Sequence, residues 1–216
     1  MSRTRAVIFD CDGVLVDSEH PADRAVAQVL AASCPGLDVA GYVARFRGWN
    51  HRDSAAALAA ERGATFPEDL DARVIAAVDA AVAHAAPMPG VRAAVAGLAL
   101  PRAVASNSPL ARLRRSLARA DLLDLFAPHV YAAEMVARPK PAPDLYRHAA
   151  RALGVAPDDC LVVEDNLRGV RAACAAGMRV VGFLGGAHAR PGDEAALLDA
   201  GACGVCRRLD TLSLWL

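Results

Sequence analysis

The sequence predicts an α/β fold, in which a doubly wound parallel sheet is interrupted by an all-helical insertion. A short apolar run, Ala6 to Phe9, ends abruptly at Asp10, as a buried strand does. From Met88 onward helical and strand patterns alternate, which is typical of a parallel sheet with right-handed crossovers. The stretch between shows only helical periodicity. We therefore expect a core domain of residues 1–18 and 88–216 and a helical domain of residues 19–87.

The composition limits the classes of protein to which this chain could belong. The chain has 216 residues, is 55% hydrophobic and carries a formal net charge of zero, without a basic cluster of the kind that nucleic-acid binders use. It contains no apolar run long enough to span a membrane, no secretory signal and no heptad seam. The six cysteines are scattered and do not resemble a disulfide framework. We expect a cytoplasmic protein with reduced thiols, a monomer or weak homodimer that binds a small molecule, with no nucleic-acid or membrane partner.

Four helices are expected in the insertion, because apolar residues recur there every three or four positions between Gly and Pro breaks. They cover residues 22–32, 37–46, 52–62 and 67–84. The loop between the second and third helices, Arg45 to Arg52, is dense in hydrogen-bond donors and aromatic rings. It is either an ordinary solvated turn or a substrate-contacting loop.

The core domain is expected to alternate helices and strands in chain order. The predicted helices are residues 91–100, 110–120, 142–153 and 168–176, the last closed by Gly177 as a left-handed cap. The predicted strands after the first are residues 102–105, 129–132, 160–163 and 179–183, with a late strand around Cys203–Cys206. The Cys-x-x-Cys spacing there is a weak redox or zinc signal, because residues three apart in a strand face opposite sides.

Polar residues follow several predicted strands at the edge where open α/β sheets bind ligands. Asp10 and Asp12 are two apart in an extended segment, so their side chains point to the same side. The other groups are Ser106-Asn107-Ser108, Lys140 between two prolines, and Glu164-Asp165-Asn166. Each has a structural explanation when taken alone: Ser108 or Asn166 as a helix N-cap, Lys140 as a solvated charge, and the acidic pair as a turn. Their shared position at one sheet edge favours a site.

Lys140 is the sole lysine among 24 basic residues, the others being arginines. Lysine is a compact point charge and arginine a planar fork, so the exception indicates a tight place that a guanidinium would not fit.

The acidic residues suggest metal-assisted phosphoryl transfer. Carboxylates about 5 Å apart repel by about 3 kcal/mol per pair at an effective dielectric constant near 20, so Asp10, Asp12 and Asp165 in one pocket need a counter-charge. Mg²⁺ prefers such oxygen ligands and shares them with substrate phosphate. Asp10 is then placed to attack phosphorus, and Asp12 to exchange protons with the leaving group and the attacking water. Ser106 and Lys140 would bind the phosphoryl oxygens.

These four groups, in order, resemble the four motifs of the haloacid dehalogenase superfamily. The helical insertion is similar to the small cap of its β-phosphoglucomutase-like members, among them 6-phosphogluconate and phosphoglycolate phosphatases. The resemblance implies a Rossmann-like core with an inserted cap domain, and hydrolysis of a small phosphorylated metabolite through an aspartyl-phosphate. The implied site residues are Asp10 and Asp12 for catalysis; Ser106, Asn107 and Lys140 for phosphate; Asp10, the Asp12 backbone carbonyl, Glu164 and Asp165 for Mg²⁺; and Arg47, Gly48, Trp49, Asn50 and His51 for substrate.

Two departures from the sugar-phosphate mutase branch favour hydrolysis. Ala22 stands where that branch has a histidine, twelve residues beyond the nucleophile, and His51 stands where its cap has an arginine. A mutase and a non-catalytic phosphometabolite-binding module remain as alternatives. The segment Gly185-Gly-Ala-His188 is expected to be a turn at the same edge, with His188 as a minor candidate for the site.

Overall fold

A computed structural model describes residues 4–46, 49 and 51–216. The chain forms two compact units, one of Met1–Asp17 with Ala86–Leu216 and the other of Ser18–Ala85. None of the helices in the described part of the chain is long and apolar enough to cross a membrane.

The first unit is built on a parallel sheet, which in the described residues has six strands in the order β3-β2-β1-β4-β5-β6. The predicted α/β class with a doubly wound parallel sheet is therefore confirmed. The strands are β1 (Ala6–Phe9), β2 (Arg102–Ser106), β3 (Val130–Ala132), β4 (Cys160–Glu164), β5 (Arg179–Phe183) and β6 (Gly204–Cys206).

Helices follow the strands in the first unit and form the second unit. The second unit holds α1 (Glu19–Ala31), α2 (Val39–Phe46), α3 (His51–Arg62) and α4 (Leu70–Val82). The first unit holds α5 (Val91–Ala96), α6 (Leu110–Arg119), α7 (Leu123–Phe126), α8 (Asp144–Leu153), α9 (Leu167–Ala176) and α10 (Asp193–Asp199).

The central strand β1 is buried on both faces, which explains its uninterrupted apolar sequence. Val7 and Phe9 belong to the core on one face, with residues of α5 and α6. Ala6 and Ile8 point to the other face and belong to the core that α8 and α9 cover. Because side chains alternate along a strand, the four residues of β1 contribute to two cores. Asp10 directly follows this fully buried strand.

Several element bounds differ from the predictions for local reasons. The helix expected over residues 91–100 ends at Ala96, before Gly97. The helix expected from residue 142 begins at Asp144, because Pro141 and Pro143 lack the backbone N–H and restrict the preceding residues. The short helices α7 and α10 were not predicted, because they offer only one or two turns of periodicity.

The second unit has a small apolar core of its own. Leu30, Tyr42, Phe46 and Leu58 are buried together, and the Tyr42 hydroxyl lies 2.6 Å from Ser54 Oγ. None of the six cysteines, all in the described residues, forms a disulfide. Cys203 lies just before β6 and is exposed, whereas Cys206 is the last residue of β6 and is buried.

Candidate active site

Asp10 continues the line of β1 into the site. Its backbone N–H donates to the Val163 carbonyl at 3.0 Å, so the residue is held beside β4. The chain then turns through Gly13, whose φ of 77° lies in the left-handed region that favours glycine. Asp10 is buried, with 5% of its surface exposed. Burial at a strand end holds the carboxylate in one place.

Lys140 bridges two carboxylates. Its Nζ lies 2.7 Å from Asp10 Oδ1 and 2.7 Å from Glu164 Oε1, and 4.6 Å from the centroid of the Tyr146 ring. The side chain is 3% exposed, which excludes the reading of a solvated loop charge. An ammonium has three N–H donors, and the Lys140 ammonium lies among the side chains of Asp10, Glu164 and Tyr146.

The loop that carries Lys140 is tied to the end of β2. The Asn107 side chain donates to the Lys140 carbonyl at 3.0 Å and accepts from the Lys140 N–H at 3.1 Å. Arg168 donates to the same carbonyl at 3.2 Å. The Asn107 amide therefore positions Lys140, and its expected contact with phosphate stays a prediction.

Ser106, the last residue of β2, and Ser108, two residues later, hold Asp12. Ser108 Oγ lies 2.6 Å and Ser106 Oγ 3.3 Å from Asp12 Oδ2, and the Ser108 N–H donates to Ser106 Oγ at 3.0 Å. The alternative that Ser108 caps the next helix is wrong, since α6 begins at Leu110 with Pro109 in the cap position. Asp12, Ser106 and Ser108 thus form one hydrogen-bonded group.

Three buried acids form the centre of the site. Asp10, Glu164 and Asp165 each offer an oxygen, and these oxygens lie within 4.8 Å of one another. The Asp12 side chain is not part of this cluster. Its expected contribution to the metal through the backbone carbonyl stays a prediction.

The conformation after β4 depends on Asn166 and Gly169. Asn166 Oδ1 accepts from the Gly169 N–H at 3.0 Å and caps α9, which confirms the N-cap reading of Asn166. A Cβ on Gly169 would lie 1.6 Å from Glu164 Oε1, so a larger residue there would displace the carboxylate. Tyr146, which donates to the same Glu164 oxygen at 3.0 Å, holds it from the other side.

The electrostatics of the cluster call for a cation. Burial raises the pKa of Asp10 well above its usual value; Lys140 opposes the shift, while Glu164 and Asp165 add to it. Burial likewise raises the pKa of Asp165, with the Glu164 charge as the next cause. Burial acts to lower the pKa of Lys140, but Asp10 and Glu164 outweigh it and raise that pKa. When all are ionised, three carboxylates face one ammonium, and a divalent cation with oxygen ligands fits the remaining charge.

His188 also reaches this cluster. Its Nε2 lies 2.9 Å from Asp165 Oδ2, and its side chain is 9% exposed. A Cβ on Gly186 would lie 2.5 Å from the imidazole, so glycine is what lets the ring lie there. The Ala187 N–H donates to Asp17 Oδ1 at 3.3 Å and anchors the loop. In the sequence, the Gly-Gly pair that follows a strand was the signal that could have pointed to His188.

The expected substrate loop is described only in part. Arg47, Gly48 and Asn50 lie outside the described residues. Trp49 is 56% exposed, with its ring 5.3 Å from that of Phe46, and His51 Nε2 lies 2.7 Å from Asp71 Oδ1.

Comparison with known proteins decides the family of this site. A family model for haloacid dehalogenase-like hydrolases matches residues 4–177. The chain belongs to this family. The resemblance seen in the motifs is thus confirmed, and the chain is a hydrolase.

Relatives and solved structures agree with this membership. The 6-phosphogluconate phosphatase of Escherichia coli (strain K12) is 31% identical over 193 residues, which cover 88% of this chain and 87% of that protein. A conserved haloacid dehalogenase-like protein of Agrobacterium tumefaciens, of unknown function, is 35% identical with a TM-score of 0.90, covering 98% of this chain and 97% of its own. A hydrolase of the family from Deinococcus radiodurans, solved with bound phosphate and sodium, is 34% identical with a TM-score of 0.82, covering 98% and 94%.

Proposed function

We propose that this hydrolase is a Mg²⁺-dependent phosphatase that cleaves small phosphorylated metabolites through an aspartyl-phosphate on Asp10. The observation that carries the proposal is the Asp10–Lys140–Glu164 bridge within a cluster of three buried carboxylates. It combines a nucleophile, a buried cation and an oxygen-only metal site at the carboxyl end of a parallel sheet.

The metal would be held by Asp10, the backbone carbonyl of Asp12 and Asp165, with Glu164 assisting. When bound, Mg²⁺ supplies positive charge that offsets the clustered carboxylates and the incoming phosphoryl group. Its fit rests on the donor set, which is oxygen throughout and carries more negative charge than Lys140 neutralises.

The first half-reaction transfers the phosphoryl group to the protein. A carboxylate oxygen of Asp10 forms a bond to phosphorus while the bond from phosphorus to the ester oxygen breaks. Asp12 gives its proton to that departing oxygen, which leaves as an alcohol. Lys140 and the Ser106 hydroxyl donate to the phosphoryl oxygens as charge develops on them.

The second half-reaction releases phosphate. Asp12, now a carboxylate, takes a proton from water as that water attacks phosphorus and the bond to Asp10 breaks. The product is inorganic phosphate, and both aspartates return to their initial forms. The same group acts first as acid and then as base, which requires its carboxyl group to stay beside Asp10 throughout.

The substrate class follows from the relatives and from the second unit. A relative that matches most of the chain is named for 6-phosphogluconate, and we propose phosphorylated sugars or sugar acids for this chain. The second unit is proposed as the cap domain that selects among them, through the loop of Arg47 to His51. Hydrolysis is favoured over mutase activity because Ala22 and His51 replace the mutase histidine and arginine.

The test is phosphate release from p-nitrophenyl phosphate and from a panel of sugar phosphates, with and without Mg²⁺. We expect activity that needs Mg²⁺, is abolished by chelation and falls at least about a thousandfold in Asp10→Asn, since loss of a nucleophile removes the covalent route. Acid-quenched enzyme should carry phosphate on the peptide containing Asp10 in the wild type alone. Undiminished activity in Asp10→Asn would rule out the proposal.

A further inference from the structure

Asp12 is held by a chain of hydrogen bonds that extends beyond the four motifs. Ser108 Oγ lies 2.6 Å from Asp12 Oδ2, and Arg112 donates to Ser108 Oγ at 2.9 Å. Ser108 is 6% exposed and lies just before α6, and Arg112 lies in the first turn of that helix. These hydrogen bonds thus connect the first turn of α6 to the carboxylate that is proposed as acid and base.

The donor and the acceptor of each of these hydrogen bonds can be assigned. A guanidinium can only donate hydrogen bonds, so Ser108 Oγ is the acceptor from Arg112. The serine hydroxyl proton is then turned toward Asp12, whose Oδ2 accepts it. A cation behind the hydroxyl strengthens this donation, since charge-assisted hydrogen bonds are shorter and stronger than neutral ones.

Ser106 cannot replace Ser108 in this role during the reaction. Ser106 Oγ also lies within 3.3 Å of Asp12 Oδ2, but its hydroxyl is the one proposed to bind the phosphoryl group. When Ser106 turns to the substrate, Ser108 still donates to Oδ2. These separate roles explain why two serines contact the same carboxylate oxygen of Asp12.

We infer that Ser108 and Arg112 are positioning residues that make Oδ2 of Asp12 the acceptor and Oδ1 the oxygen that transfers the proton. The inference rests on the proposed function. During the first half-reaction the proton moves from Asp12 Oδ1 to the departing ester oxygen as its bond to phosphorus breaks. Without Ser108 or Arg112 the carboxyl group rotates more freely, and a smaller share of enzyme has a proton aimed at the leaving group.

A leaving-group comparison separates this role from simple support of α6. Phenolate needs a proton on departure far more than p-nitrophenolate does, so a misplaced acid slows phenyl phosphate more than p-nitrophenyl phosphate. The measurement is kcat/KM for both esters with Mg²⁺, which reports the step that breaks the ester bond. The variants are Ser108→Ala, Arg112→Met and Arg112→Lys, with Asp12→Asn as reference and exposed Arg114→Met as matched control.

We expect Ser108→Ala and Arg112→Met to lower kcat/KM about tenfold for phenyl phosphate and less than about twofold for p-nitrophenyl phosphate. Arg112→Lys, which keeps a donor cation, should recover part of the loss, and Arg114→Met should match the wild type with both esters. Equal losses with the two esters would show a merely structural role and overturn the inference. If Asp12→Asn itself lowers kcat/KM equally for both esters, the acid role in the proposed function fails, and the inference fails with it.

Discussion

Lys140 occupies a space shaped for an ammonium group. It contacts Asp10 and Glu164 at 2.7 Å and the Tyr146 ring at 4.6 Å while 3% exposed, so a planar guanidinium has no comparable position there. We expect Lys140→Arg to reduce kcat at least about a hundredfold although the charge is kept, because donor placement toward the phosphoryl group is lost.

The control for this substitution lies in the same loop. Arg138 is exposed and pairs with Asp144 at 3.1 Å, so Arg138→Lys should leave kcat unchanged. Steady-state assays with Mg²⁺, together with thermal unfolding of both variants, give the comparison. A wild-type kcat in Lys140→Arg would mean that the sole lysine is an accident of composition.

At the scale of elements, α3 and α4 of the second unit are joined by a polar contact. Asp71 Oδ1 accepts from Arg52 Nε at 3.0 Å and lies 2.7 Å from His51 Nε2, and its second oxygen pairs with Arg52. The hydrogen bond from Arg52, followed by that from His51, lowers the pKa of Asp71 from 3.8 to about 2. The folded state therefore prefers the ionised form.

A carboxyl group whose pKa is lower in the folded state stabilises the protein above its unfolded pKa, and this contribution is lost as the pH falls through the folded pKa. We predict that the free energy of unfolding of the wild type exceeds that of Asp71→Asn near neutral pH. The difference should shrink as the pH is lowered from about 4 toward about 2. Urea unfolding at several pH values measures it, with exposed Glu68→Gln as the control. A difference independent of pH would contradict the assignment.

Elements were predictable from the sequence where burial imposes a clear pattern. The strands β1, β4 and β5 each contain a continuous apolar run because both faces are covered, and their ends could be placed to within a residue. The acids at those ends followed, since parallel strands present their carboxyl ends at one edge. Tyr146 and Arg112 could not be found in this way. Each lies inside a helix with ordinary periodicity, and its role depends on a contact between segments far apart in the chain.

At the scale of the whole molecule, we expect the buried acids to make the stability of the fold depend on a bound cation. Asp10, Glu164 and Asp165 are buried together at the ends of β1 and β4 in the larger unit, where their repulsion opposes folding. A ligand that binds the folded state alone stabilises it by about 2.7 kcal/mol when present at a hundred times its Kd. For a chain of this size that corresponds to a rise in Tm of about 5 to 10 °C.

The substitution Asp165→Asn distinguishes the effect of the negative charge from the effect of the side chain's contacts. The amide keeps the size of the side chain and removes one negative charge, so the metal-free variant should melt at a higher temperature than the metal-free wild type. It should also lose most of the rise that Mg²⁺ causes, because the site has one ligand charge fewer. Calorimetry of chelator-treated protein, with and without added Mg²⁺, measures both effects. A lower metal-free Tm together with an undiminished Mg²⁺ response would mean that the cluster is stabilised by its internal contacts and that the cation binds elsewhere.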